Sequence, residues 1–142
     1  MPEFQLNTGS ADMSQFDEFT TGYIEVMFFA DIDYPDAETY GACVEDLAPE
    51  AVERIKADCA KFQADNDALL FKAITSGFSL SGQPGPEYNM TRAGSDYWYT
   101  RQGHGVGYWD RGLGEVGDEL TEIAQHNEIL AYQGDDGQIH LS

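Results

Sequence analysis

Basic residues are scarce in this 142-residue chain: 7 Lys and Arg stand against 26 Asp and Glu, a formal net charge of −19. A field of that sign repels phosphate backbones and anionic lipid, so direct nucleic-acid binding and membrane-surface binding are the classes it most disfavours. Cysteine is sparse too. Cys43 and Cys59 form no Cys-x-x-Cys pair, and with 3 His scattered along the chain they give no zinc-ligand spacing. Both are expected to be reduced thiols, Cys59 buried on a helix face. Long apolar runs are also missing. The longest candidate, Val26-Met27-Phe28-Phe29-Ala30, lies between Glu25 and Asp31, well short of the ~18 residues of a membrane span. No basic segment leading into an apolar one opens the chain, and the expected location is the cytoplasm, that of a host cell if the chain is phage-encoded. No P-loop, Gly-x-Ser-x-Gly or His-Glu-x-x-His motif occurs, and no cofactor is expected.

What the chain does have is core-forming material. A hydrophobic fraction of 42%, with 8 Phe, 8 Tyr and 2 Trp, supports one folded domain over residues 14–142 after a flexible leader at 1–13. Phe16, Phe19, Tyr23, Ile24, Met27 and Phe28 recur at helical spacing behind Ser14 as N-cap, predicting a first helix to about Phe29. A second helix starts at Pro49 and presents Val52, Ile55, Cys59 and Phe62 on one stripe; around Asp65-Asn66-Asp67 it either continues or recaps, with Leu69–Ile74 apolar enough to be buried and Gly77 as its end. Residues 79–94 read as an irregular connection. Asp96–Arg101 reads as an aromatic strand, Gln102–Gly105 as a turn and Val106–Trp109 as a return strand. Leu113–Gln125 has a helical pattern, and Gly134-Asp135-Asp136-Gly137 marks a hairpin between Ile129–Tyr132 and Gln138–Leu141. The predicted class is α+β: two to three helices packed on a small antiparallel sheet.

Two segments carry candidate chemistry. The glycine-rich stretch 96–114 places His104 where it would act as acid or base, with Asp110 to orient it and Arg101 or Arg111 to hold an anion. The bland reading of the same stretch is a turn closed by glycines, its aromatics in the core. Acidity is concentrated elsewhere: from Asp12 to Asp67 there are 15 acids against Arg54, Lys56 and Lys61. Asp31, Asp33, Asp36, Glu38, Glu45, Asp46, Glu50 and Glu53 form the expected partner-binding surface, since carboxylates at helical spacing approximate the phosphate spacing of a DNA strand. The competing explanation is acidity that serves only solubility. Asp31, Asp33 and Asp36 do not make a calcium loop, because Asp36 and Ala42 stand where an EF-hand needs glycine and glutamate. No metal is expected.

Tyr97-Trp98, Thr100-Arg101, Gly103-His104-Gly105 and Trp109-Asp110, in that order, resemble a motif of small proteins encoded by bacteriophages and prophages. Asp46–Glu50, Lys56–Cys59 and Phe62-Gln63 resemble the same family. The family carries His-Asp before the aromatic pair where this chain has Ser95-Asp96, which puts a second-histidine catalytic pair in doubt. The resemblance implies phage origin and no particular activity. Joined to the charge, it yields the leading expectation: an accessory protein that binds and inhibits a host nucleic-acid-handling enzyme by presenting a DNA-like acidic surface. The alternatives are a virion or accessory protein with no inhibitory role, and a small-ligand-binding or hydrolytic domain using the Gly-His-Gly segment. Nothing in the sequence opposes a homodimer through the aromatic segment.

Overall fold

A computed structural model describes residues 15–33, 44–81, 88–111, 113–125 and 127–142. Five helices occur among them: α1 (Glu18–Ala30), α2 (Pro49–Asp65), α3 (Asp67–Ser81), α4 (Met90–Arg101) and α5 (Glu115–Ala124). Short 3-10 turns cover Val44–Asp46 and Tyr108–Asp110. Three strands, β1 (Ile32–Asp33), β2 (Ala131–Gln133) and β3 (Ile139–Leu141), complete the chain. The class is α+β, with more helices than the two to three expected. The sheet has the order β1-β2-β3 and is mixed: the expected hairpin pairs β2 and β3 antiparallel, but β1 joins β2 in parallel. The leader at 1–13, the Ser14 cap, Asp36, Glu38 and Cys43 lie outside the described residues.

The main correction concerns 96–109. β-Propensity made Asp96–Arg101 a strand, yet it is the second half of α4, and Tyr108 and Trp109 lie in a 3-10 turn rather than a return strand. The helix wins because Ala93, Gly94, Tyr97, Trp98 and Arg101 repeat at three and four positions and are all buried. Asn89 starts it as N-cap, its side chain accepting from Arg92 N at 2.9 Å. The start of α1 works the same way through Asp17, which accepts from Thr20 N at 2.8 Å. Gly77 does not end a helix, since α3 runs through it.

α1 and α4 form the centre. A Cβ placed on Gly94 would lie 1.7 Å from Phe19 O, and one on Gly22 would lie 1.9 Å from Thr91 O. The two backbones are therefore in direct contact, and Ser95 Oγ donates across the crossing to Gly22 O at 3.1 Å. Beside it Phe19, Tyr23, Tyr97, Trp98 and, from α2, Phe62 make a continuous aromatic core. Phe62 stacks on Tyr97 at 4.1 Å, and Trp98 meets Tyr23 edge-on at 5.2 Å. α2 adds the expected stripe, with Ile55 and Cys59 fully buried and Val52 half-buried. Burial pushes the Cys59 thiol up to about 12, which leaves it inert.

The hairpin is tied to α2 by His140, whose Nδ1 is 3.0 Å from Glu50 Oε1 and whose Nε2 is 3.0 Å from Asp136 Oδ2. The hydrogen bond to Asp136, followed by that to Glu50, raises the His140 pKa above its ordinary 6.5. Backbone donation from Gln138, then the His140 contact, lowers that of Asp136 below 3.8.

On an exposed helix, Gly→Ala adds up to ~1 kcal/mol of stability, but at the crossing the added methyl meets backbone. Gly94→Ala is expected to destabilise the fold by about 3 kcal/mol or more, the upper end of overpacking costs, measured by urea unfolding. The His140 bridge contributes in full below the ordinary histidine value and is lost as pH rises through the raised one. The stability difference between wild type and His140→Gln should therefore shrink between pH 6 and pH 9, read from unfolding midpoints across that range.

Candidate functional site

α1 ends at Asp31, whose backbone N–H donates to Met27 O at 3.0 Å. The helix crossing carries this carboxylate to the C-terminal half of α4, where Trp98 Nε1 donates to Asp31 Oδ2 at 2.5 Å. Immediately after α4 the chain turns at Gly103, with φ 74, a left-handed conformation that suits glycine. The turn is held by His104 N donating to Tyr99 O at 3.0 Å. It aims the His104 ring back at α1, and Nε2 lies 2.6 Å from the same Asp31 Oδ2. The Tyr99 ring packs edge-on against the imidazole at 5.3 Å. Trp98 is fully buried, whereas the His104 and Asp31 side chains retain 30% and 24% of their exposure. The site is thus anchored in the core and open at one side.

This cluster differs in membership from the one expected. Asp31, assigned to the partner-binding surface, is the carboxylate that bonds His104. For Asp110, the expected orienting residue, the side chain lies outside the described residues. Arg101 does not reach His104 or an open anion site. Its side chain is 3% exposed and bonds Tyr23 Oη at 2.9 Å, Asn127 O at 3.0 Å and Asp58 Oδ2 at 3.2 Å. Arg111 is engaged too, pairing at 2.9 Å with Asp96, a 2% exposed carboxylate that also accepts from Tyr88 Oη at 2.6 Å. Trp109 is 49% exposed.

Part of the expected acidic surface lies among the described residues. Glu45, Glu50 and Glu53 are exposed around the start of α2 and Asp46 is half-buried there, while Asp33 lies on β1 with its side chain outside the described residues. A more regular array sits on α5. Glu115, Asp118, Glu119 and Glu122 fall at i, i+3, i+4 and i+7, all exposed, with Gly117, Leu120 and Ala124 buried on the opposite side. That spacing was present in the sequence but lay outside its most acid-rich region. Several of the chain's few cations are engaged by its own acids: Arg54 and Arg101 pair with Asp58, Lys61 with Asp65 and Arg111 with Asp96.

Among the described residues no group of three or more His, Cys, Asp or Glu is arranged to hold a metal ion. Among them, too, no helix is long and apolar enough to cross a membrane. No protein-family model, curated protein or solved structure matches the chain.

Burial separates the two tryptophans of the segment. Trp98→Ala is expected to cost roughly 3–5 kcal/mol of stability, the range for a buried aromatic truncated to alanine. Trp109→Ala should change stability by less than ~1 kcal/mol, as at other exposed positions. Thermal or urea unfolding of the two variants checks the contrast.

Proposed function

We propose that this is a phage-type accessory protein that docks on the basic, nucleic-acid-binding surface of a host enzyme and inhibits it by occupying that surface. The observation that carries this reading is the carboxylate row on α5. Its four acids span seven positions, or ~10.5 Å at 1.5 Å per residue. Neighbouring members of the row, three or four positions apart, stand ~5–6 Å from one another at Cβ, of the same order as the ~7 Å between successive phosphates of one DNA strand.

Two further facts support the reading. Among the described residues Arg54, Lys61, Arg101 and Arg111 each pair with an acid of the same chain, and the chain as a whole keeps a net charge of −19. The Tyr97-Trp98, Thr100-Arg101, Gly103-His104-Gly105 and Trp109-Asp110 series resembles the phage-encoded family named above. The mechanism is competition: the partner's Lys and Arg side chains meet carboxylates in place of phosphates. Association is steered by the field and weakens as salt screens it.

The test is inhibition of a panel of purified bacterial DNA-handling enzymes, with substrate turnover measured at 50 and 200 mM salt. Inhibition of at least one enzyme at 50 mM, relieved at 200 mM, is the expected result. The variant Glu115→Gln/Asp118→Asn/Glu119→Gln/Glu122→Gln should weaken that inhibition by on the order of tenfold, about 1.4 kcal/mol. A panel left uninhibited, or a variant as potent as wild type, would overturn the proposal.

A further inference from the structure

We infer that Asp31 and His104 form an acid–base site, with His104 Nδ1 as the working atom, for small uncharged or cationic acyl esters. The inference does not rest on the docking reading, and its residues are not those of the α5 row.

The tautomer follows from the donors. Trp98 Nε1–H only donates, so Asp31 Oδ2 is an acceptor, and a carboxylate oxygen that accepts from the indole also accepts from the imidazole. Nε2 of His104 therefore carries the proton. In the neutral ring the lone pair then sits on Nδ1, and no hydrogen bond from a described residue reaches that atom. The ring is held by Asp31 at 2.6 Å and by the Tyr99 ring, which crosses it near perpendicular with centroids 5.3 Å apart. Orientation of an imidazole by a carboxylate, with the far nitrogen presented outward, is the arrangement a general base requires.

Space and charge narrow the ligand. Gly105, next in the chain, is exposed and a Cβ on it would meet nothing within 4 Å, so the chain leaving His104 is open to solvent and to a ligand arriving from it. Glu128 lies nearby, its Oε1 3.9 Å from a Cβ placed on Gly103. With Asp31, Glu128 and a net charge of −19, the approach is unfavourable for anionic substrates and favourable for neutral or cationic ones. Among the described residues no hydroxyl or thiol bonds His104, so the proton it removes comes from water. In the step, water oxygen bonds the carbonyl carbon while its proton passes to Nδ1. That proton then moves to the departing alkoxide as the acyl C–O bond breaks, giving a carboxylic acid and an alcohol. His104 is the catalytic residue; Asp31 and Trp98 position it.

The probe is p-nitrophenyl acetate, with p-nitrophenyl phosphate as the anionic comparison. Saturable hydrolysis of the acetate and none of the phosphate is expected. His104→Ala should reduce kcat/KM by about 100-fold or more, the low end of general-base contributions. Asp31→Asn should lower kcat with KM retained, and His140→Ala should leave both unchanged. Gly105→Leu fills the open space without touching the dyad, so it should raise KM while the far-UV circular dichroism stays that of wild type. Hydrolysis linear in ester concentration, a His104→Ala chain as active as wild type, or full affinity in Gly105→Leu would each overturn the inference.

Discussion

Two helices whose backbones touch set the rest of the molecule. Gly22 and Gly94 each face a carbonyl of the other helix, so α1 and α4 approach more closely than side chains would allow. Close approach brings Tyr23 against Tyr97 and Trp98, and Phe62 of α2 stacks on that group. It also fixes the axial register of the two helices. Register decides where α1 ends relative to Trp98, and hence that Asp31 meets both the indole and His104. The site is a by-product of the crossing: any change that parts the helices separates its members as well.

Two separate networks hold the buried charged groups of this core. Arg101 takes Tyr23, Asp58 and the carbonyl of Asn127, while Asp96 takes Tyr88 and Arg111. Burial pushes the phenols of Tyr23, Tyr88 and Tyr108 up and that of Tyr97 up to about 12, so they act as neutral hydrogen-bonding groups. Ionic pairs so deep are costly to desolvate and weak as sources of net stability. Their effect here is on surface potential, because each takes an arginine from a small stock of cations and leaves exposed carboxylates without one.

Elements defined by local signals were legible in the sequence. Pro49 marked α2, its apolar stripe was correctly placed, and Gly134–Gly137 identified the hairpin. α4 was not, because Tyr97-Trp98-Tyr99-Thr100 has strong strand propensity and the decisive fact, burial of Gly94 against α1, is tertiary. β1 has two residues and is defined by its partner, so no pattern of its own could announce it. His104 stood out from its glycines, but its carboxylate partner is 73 positions away, and sequence offered only the neighbouring Asp110. The α5 row differs in kind: its spacing was on view, but acid density drew the reading elsewhere.

The distance along the chain between Gly22 and Ser95 also matters while the protein is being made. Ribosomes add about 5–20 residues per second, so α1 leaves the ribosome some 4–14 s before α4 exists to cover it. During that interval Phe19, Tyr23, Ile24, Val26 and Met27, all buried in the finished fold, have no native helix α4 to pack against. The many acids that flank and follow α1 keep the nascent segment strongly negative throughout, and like-charge repulsion between neighbouring chains then opposes their aggregation before the fold closes.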